Sequence, residues 1–360
     1  MNRRWAAIAA AAVLLGGAVV VGRSCQERPP EQKAATEAQS VGPVSAGPRA
    51  GRKPKPGGTA APAAPEAGAP AGPEVLFNAG WGGKLGELGR DRPDEGNPEG
   101  PMSLAVDAKG RVLVLDQVNN RMVRYGADGK PQAELRTDIR TAQDVVVAPD
   151  GTAAVLERVH QKSVTLFDES GKPVGQLPLI GEGIDEAGAV TGVFVDGKDV
   201  YAEREHGMLV KIGDTAGNPA EPRAEIPGRP SRDGQLYLSA GIIQAQAGRA
   251  YVSAIDRARM ENRFTRELRF DARLLTIVLL DSDRSGTIYF AAQIDEGEGQ
   301  ESVVLTCLEP LTGQPIGGAV MPANTLPEET FRDLAVLDDG GVIYALRTEQ
   351  GTSYQRYACE

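Results

Sequence analysis

A hairpin-sized pattern repeats six times along this chain, and a repeat of this period constrains the fold more than any local feature. In each copy a glycine separates two short runs of β-branched and other apolar residues, and a third run follows in most copies. Short strands joined by turns that contain glycine or aspartate are typical of β-hairpins. The six glycines are Gly110, Gly151, Gly197, Gly248, Gly286 and Gly341.

Units of this size cannot bury a hydrophobic face alone, so neighbouring units must cover one another. A radial arrangement achieves this and leaves few free sheet edges. The sequence therefore predicts an all-β, six-bladed β-propeller over residues 74–360. The fourth copy is irregular: its runs are placed at 240–245, 250–254 and 267–270, and only one more strand fits before Asp281. We therefore expect blade four or five to be distorted, and five or seven blades stay open.

The two ends of the repeat region are expected to meet. The last copy ends on its third run, at 354–359, so a fourth strand for that blade must come from elsewhere. The run 75–78, just before Trp81, is the natural donor. The alternative is that residues 75–90 form only a loop.

The first two copies carry the most specific motifs. In the first, Gly100-Pro101 precedes the inner strand, Val106-Asp107 ends it, and Asn119-Asn120-Arg121 opens the third strand. The second keeps Asp144 and Pro149-Asp150-Gly151. The chain thus resembles the NHL-repeat family, with recognisable motifs over about residues 100–180. The resemblance implies a six-bladed propeller.

An apolar stretch opens the chain. The eighteen residues from Trp5 to Gly22 lie between Arg3-Arg4 and Arg23, close to the shortest length that spans a membrane as a helix. We predict that residues 1–25 are an apolar helix that serves as a signal peptide or a transmembrane anchor. Retention, cleavage and lipidation at Cys25 stay open. Each of them exports the rest of the chain, so the propeller is expected in the periplasm or outside the cell, anchored to the membrane.

Composition changes at residue 73. Residues 26–73 are rich in Pro, Ala and Gly and predict a disordered, extended linker. Residues 74–360 carry 30 Lys and Arg against 45 Asp and Glu, a net charge of −15. Nucleic-acid binding needs a basic footprint, so this class of partner is not expected.

Two cysteines occupy similar third-strand positions in adjacent copies, Cys307 and Cys359. They could pair in an oxidising compartment. Equivalent strands of neighbouring blades usually diverge, however, and a disulfide needs Cα atoms within about 7 Å. The sequence therefore favours two buried thiols over a disulfide.

The chain's two histidines fall at the same repeat position, His160 and His206, each three residues after a glutamate, Glu157 and Glu203. They lie in turns between second and third strands, on the face where propellers resembling this one bind ligands. Imidazole and carboxylate suit a transition metal, so one hypothesis is a shared metal or acid–base site. The alternative is that the histidines are turn residues beside solvated glutamates. No cofactor is expected otherwise; calcium or zinc is the metal considered.

Two function classes follow. The first is an exported, membrane-tethered, non-catalytic binding or scaffold propeller of the bacterial cell envelope, with a protein or peptide ligand on one face. The second is a metal-dependent propeller enzyme, a lactonase-like hydrolase or a lyase. The fold alone does not choose between them, because function depends on the site. The first is favoured, since the two histidines do not make an evident metal-ligand set.

Overall fold

The computed structural model describes residues 72–359, which form six four-stranded antiparallel sheets. The sheets are arranged radially and in chain order, so the fold is the predicted six-bladed β-propeller. The predicted segment 1–25 and the linker as far as residue 71 lie outside the described residues. Within 72–359, no helix has the length and apolar character needed to cross a membrane.

Each blade is one sheet, whose first-named strand lies innermost in the ring and whose last-named strand lies outermost. Blade 1 contains β2 (Ser103–Val106), β3 (Val112–Asp116), β4 (Arg121–Tyr125) and β5 (Pro131–Arg136). Blade 2 contains β6 (Asp144–Val147), β7 (Ala153–Glu157), β8 (Ser163–Phe167) and β9 (Pro173–Pro178). Blade 3 contains β10 (Val190–Asp196), β11 (Asp199–Arg204), β12 (Leu209–Asp214) and β13 (Glu225–Ile226).

The second half of the ring has longer strands in its first two blades. Blade 4 contains β14 (Arg229–Pro230), β15 (Leu236–Gln244), β16 (Arg249–Asp256) and β17 (Glu261–Arg269). Blade 5 contains β18 (Arg273–Ser282), β19 (Ile288–Gly297), β20 (Gln300–Leu308) and β21 (Pro315–Pro322). Blade 6 contains β22 (Leu334–Val336), β23 (Val342–Thr348), β24 (Gly351–Tyr357) and β1 (Glu74–Gly80).

The repeated glycines mark tight turns. In blade 1 the Asp107 carboxylate accepts hydrogen bonds from the N–H groups of Lys109 and Arg111, and Gly110 closes the turn with a φ of 70°. Asp283 and Gly286 build the same turn in blade 5. Glycine adopts a positive φ at no steric cost, whereas other residues do so rarely, and this is why a glycine recurs at the hairpin turns.

The N-terminal strand closes the ring, as predicted. β1 pairs antiparallel with β24, from Glu74 opposite Arg356 to Gly80 opposite Gly351. Phe77 of β1 stacks between Tyr125 of blade 1 and Tyr354 of blade 6, with ring centroids 4.3 and 4.5 Å away. Closure therefore joins the last blade to the first through an aromatic core as well as through backbone hydrogen bonds.

Blade 4 departs from the predicted alignment by one strand. Its inner strand β14 has only two residues, and its first turn contains Gly234, in the role predicted for Gly248. The predicted first run, 240–245, lies mostly in the second strand, and 267–270 lies mostly in the outer strand. With this shift, β17 is the fourth strand of blade 4, and the one strand that fits before Asp281 is β18, the inner strand of blade 5. A two-residue strand is too short for an apolar pattern to identify.

Cys307 and Cys359 form a disulfide, so the prediction of two thiols is wrong. Their Cα atoms are 6.0 Å apart. Cys307 lies inside β20, whereas Cys359 follows the end of β24 by two residues. Equivalent strands of neighbouring blades diverge, but Cys359 is not in a strand: β24 ends at Tyr357, and the chain after it can turn towards blade 5. The bond joins blade 5 to blade 6.

The core lies between blades rather than within them. Clusters of buried apolar side chains fill five junctions: between blades 1 and 2, 2 and 3, 4 and 5, 5 and 6, and 6 and 1. The described residues place charged groups and aromatic rings at the remaining junction, between blades 3 and 4. Arg257 of blade 4 pairs with Asp196 of blade 3 at 2.7 Å and lies 4.9 Å above the Tyr237 ring. We call this junction the seam.

Candidate functional site

A cavity of about 900 Å³ occupies the centre of the ring and extends into the seam. The face that carries the turns between second and third strands is called the upper face, and the opposite face the lower face. From blade 3 the cavity is lined by Thr191, Phe194, Glu203 and His206, and from blade 4 by residues 229–232 and 238–242. Residues from all six blades line this cavity, which makes it a natural binding-site hypothesis.

A loop between blades 5 and 6, residues 323–333, reaches into the upper half of this cavity. We call it the crossing loop. The N–H groups of Phe331 and Arg332 both donate to the carbonyl of Met102 in blade 1. The Phe331 side chain packs against the apolar cores of blades 1, 2 and 3. Arg332 then donates to Asp144 of blade 2 at 2.7 Å. The loop thus lines the cavity on the side of blades 1, 2 and 3.

Two arginines flank one aromatic ring on the seam side. Arg229 lies 4.8 Å and Arg332 lies 5.3 Å from the centroid of Phe194. Arg229 also binds both carboxylate oxygens of Glu203, at 2.7 and 3.1 Å. A guanidinium can stack on a ring and keep its in-plane hydrogen bonds at the same time. The arrangement holds blades 3 and 4 at a fixed spacing while leaving Phe194 on the cavity wall.

Glu203, a predicted metal ligand, is therefore already engaged. Its side chain is buried, and Thr191 also donates to it at 3.0 Å. Burial by itself would raise the pKa of Glu203, but the charge of Arg229 and hydrogen bonds from His206, Arg229 and Thr191 lower it to about 2. His206 lies beside it, with Nδ1 3.7 Å from the carboxylate, and its side chain is 75% exposed at the cavity rim.

Glu157 has a different task. Its buried carboxylate accepts hydrogen bonds from the backbone N–H groups of Val159, His160, Gln161 and Lys162, and from the Thr141 hydroxyl. Burial raises its pKa, but the N–H groups outweigh this and hold the pKa below its usual value. The carboxylate thus stabilises the turn that carries His160.

The four predicted ligands are not gathered into one cluster. His160 and Glu157 belong to blade 2, and His206 and Glu203 to blade 3. Within residues 72–359, no group of three or more His, Cys, Asp or Glu side chains could hold a metal ion. The shared metal site stays a prediction. The glutamates are buried, which also departs from the alternative of solvated side chains.

Asp333 is a carboxylate of the cavity with one side-chain hydrogen-bond partner. Its Oδ2 accepts one hydrogen bond, from Asn324 at 3.0 Å. Burial raises the pKa of Asp333, and the hydrogen bond from Asn324 and the charge of Arg347 offset only part of this rise. The Nε of Arg347 is buried and forms no hydrogen bond within the described chain. On the blade 6 side, the cavity is therefore lined by polar groups that could form further hydrogen bonds.

Blades 4 and 5 rise above the upper face. Aligned on their lower turns, β15, β18 and β19 are four to six residues longer than their counterparts β3, β2 and β3 in blade 1. At about 3.3 Å per residue, this extension amounts to roughly 13–20 Å. We call this projection the wall. Ile242 and Ile243 lie on it in exposed positions, and Ile242 lines the cavity.

The lower end of the cavity is different, because ion pairs cross it. Arg232 of blade 4 binds Asp281 of blade 5 at 2.7 Å and Asp338 of blade 6 at 3.0 Å. Arg284 binds Asp338 as well. The two ends of the cavity are therefore chemically unlike: an apolar wall stands beside the upper end and a charge network spans the lower.

Sequence reasoning did not identify Arg229, Arg332, Asp144 or Phe194. Asp144 carried a signal, since aspartate recurs near strand ends, but such residues usually cap turns. The two arginines act across blades, 26 residues from Glu203 and 188 residues from Asp144. Contacts between residues so far apart in the chain produce no repeating pattern by which a single sequence could reveal them.

No family model and no curated protein matches the chain. Among solved structures, it is similar to hydrazine synthase of Kuenenia stuttgartiensis, at 15% identity over 71% of this chain and 76% of that chain, with a TM-score of 0.47. It is similar to streptogramin B lyase at 12% identity, over 74% and 96% of the two chains, with a TM-score of 0.41. It is also similar to BamB from Moraxella catarrhalis at 11% identity, over 72% and 86%, with a TM-score of 0.36. No activity is transferred from these proteins.

Proposed function

We propose that the protein is a non-catalytic binding propeller of the bacterial cell envelope, exported and tethered to the membrane by residues 1–73. Its ligand is a protein or peptide segment that binds on the upper face, in the seam side of the cavity and against the wall. The apolar segment 5–22 and the Pro- and Ala-rich linker support export and tethering.

One observation carries the binding proposal: a cavity that extends into the seam, with exposed apolar side chains of the wall beside it. Ile242 and Ile243 are 39% and 46% exposed, and Met208 of the adjacent blade 3 turn is 38% exposed. Exposed apolar groups around a concavity are typical of protein-binding surfaces. Phe194 and Arg229, which line the cavity, are of residue types that are enriched in protein interfaces.

A photo-crosslinking amino acid at Ile243 of the full-length chain, expressed in its host and irradiated in intact envelopes, tests this. We expect an adduct with one envelope protein, found by mass spectrometry, and none from the same amino acid at Val174. Val174 is an equally exposed position (44%) on the outer strand of blade 2 and is the matched control. Equal adducts at both positions, or none at Ile243 in abundant folded protein, would refute the site.

The metal-dependent alternative is tested on the same purified chain by elemental analysis. Stoichiometric zinc or calcium that is lost in a His160→Ala, His206→Ala variant would favour the enzyme. An unchanged adduct in this double variant would favour the binding propeller.

A further inference from the structure

The outer rim of blades 4 and 5 carries the most exposed large apolar side chains of the described residues. These are Val320 (67%), Leu311 (65%), Met260 (59%) and Ile316 (56%). Met260 and Leu311 lie in the turns between the third and fourth strands of their blades, and Ile316 and Val320 share one face of β21. The turn that carries Leu311 packs on β17: Arg266 donates to the carbonyl of Thr312, and Gly313 lies against the Phe264 ring. Single exposed apolar residues are ordinary, but two of them on one face of an outer strand give that strand an apolar surface that a partner can cover.

At four other positions, a turn of the next blade covers the outer strand of the preceding blade. Gly171 of blade 2 lies against Leu135 of β5, and Gly217 of blade 3 lies against Gly175 of β9. Gly313 of blade 5 lies against Phe264 of β17, and Gly129 of blade 1 lies against Phe77 of β1. Each of these turns joins a third strand to a fourth, so the covering element is part of the repeat.

The outer strand of blade 5, β21, is not covered in this way. Blade 6 has no turn between its third and fourth strands, because its fourth strand β1 comes from the other end of the chain. The short segment after β24 takes the place of this turn, since its Cys359 is bonded to Cys307 of β20, and it leaves Ile316 and Val320 of β21 exposed. Open sheet edges are usually blunted by charge, by shortness or by covering. β21 has eight residues, Pro-Ile-Gly-Gly-Ala-Val-Met-Pro, and none of them is charged.

The sequence of β21 is complementary to itself when read antiparallel. With Gly318 on a two-fold axis, Ile316 of one copy lies opposite Val320 of the other, and Gly318 lies opposite Gly318. Apolar residues directly opposite one another are favourable cross-strand pairs, and glycine at the axis leaves room for the two backbones. The two prolines, which cannot donate hydrogen bonds, lie at the ends of the strand.

We propose that two copies of this protein associate through their β21 strands, which join blade 5 of each copy into one continuous eight-stranded antiparallel sheet. The interface is isologous, so it closes as a dimer and does not extend into a fibre. It lies on the outer rim, away from the upper face, and it does not depend on the proposed ligand site.

Cysteine cross-linking of the detergent-solubilised full-length chain, in a Cys25→Ser background, tests the proposal. In a mixture of Ile316→Cys and Val320→Cys chains carrying different tags, oxidation should join the two chains. Each variant alone should give far less product, because two copies of Val320 lie four residues apart along the strands, about 13 Å, beyond the reach of a disulfide. Equal cross-linking of the single variants would overturn this register.

Sedimentation of the same preparation gives an independent readout. Wild type should show the mass of a dimer, and Val320→Lys should weaken the dimer roughly tenfold or more, because an unpaired charge enters both ends of the strand pair. Val174→Lys on β9 is the matched control and should leave the mass unchanged. A wild-type monomer at every accessible concentration, or association that Val320→Lys leaves unchanged, would overturn the proposal.

Discussion

The seam between blades 3 and 4 and the junction between blades 2 and 3 join similar sheets by different interactions. Between blades 2 and 3, Leu166, Leu177 and Val193 are fully buried in one apolar cluster. In the seam, the Glu203–Arg229 and Asp196–Arg257 pairs connect the blades. Apolar burial stabilises in proportion to area and tolerates small displacements. Paired charges fix a geometry and contribute little net stability.

The central cavity extends outward into the seam, and this connects the comparison with function. An apolar junction has to be closed to stabilise the fold, whereas a junction of arginines and aromatic rings keeps its polar groups near solvent. Buried apolar side chains therefore stabilise five of the junctions, whereas the sixth, the seam, presents polar and aromatic side chains to the cavity. Substitutions at different junctions should therefore show which contacts stabilise the fold and which ones only shape the cavity.

The largest effect is expected from the disulfide that joins blades 5 and 6. The double variant Cys307→Ser, Cys359→Ser should lose about 4 kcal/mol of the free energy of unfolding, because the bond closes a loop of 52 residues in the unfolded chain. Denaturant unfolding of the full-length chain measures this loss. Cys25→Ser is the control and should leave the midpoint unchanged. An unaltered midpoint in the double variant would contradict the assignment of a stabilising bond.

The next largest loss of stability is expected for Glu203→Gln, which removes the charge that pairs with Arg229 across the seam. The pKa of Glu203 is lowered from 4.5 to about 2 in the fold, which corresponds to roughly 3 kcal/mol. This stability is complete above pH 4.5 and is lost as the pH falls from about 4.5 to about 2. The variant should therefore be less stable than wild type at pH 7, by roughly 3 kcal/mol, and should match it at pH 2.

The double variant Glu203→Gln, Arg229→Met separates the pair from its parts. It removes both charges, so it should recover most of the stability that the single variant loses. If the double variant is as unstable as Glu203→Gln, the cost does not arise from leaving Arg229 unpaired, and the seam is not held by this ion pair.

Asp333→Asn should raise the free energy of unfolding at pH 7, whereas Glu203→Gln lowers it. Because burial raises the pKa of Asp333, the wild-type carboxyl favours the fold at low pH, and this contribution is lost as the pH rises through the raised pKa. The amide keeps an acceptor for Asn324 and carries no charge. The variant should be more stable than wild type at pH 7, and the difference should vanish on acidification. A gain that is the same at pH 3 and pH 7 would contradict this.

The features that sequence predicted are local and periodic. The glycines of the hairpin turns and the donor run 75–78 could be identified because each depends on residues close together in the chain, or on a count of strands. Blade 4 was misaligned because a two-residue strand has no pattern to detect. The metal hypothesis paired residues by repeat position, yet equal positions acquired unlike partners: Glu157 binds its own turn, whereas Glu203 binds the next blade.

The smallest effect is expected at the second ion pair of the seam, Asp196 with Arg257, whose side chains are both 25% exposed. Water and salt screen a pair at this depth, so Asp196→Asn should cost about 0.5 kcal/mol in dilute buffer and nothing measurable in about 1 M salt, where the Debye length is about 3 Å. Chemical unfolding in urea, which adds no ionic strength, measures both values. The Glu203 variant is the matched comparison, because its buried pair should lose little of its effect in salt. If salt removes both effects equally, the seam is a solvated contact throughout and the distinction between its buried and exposed halves fails.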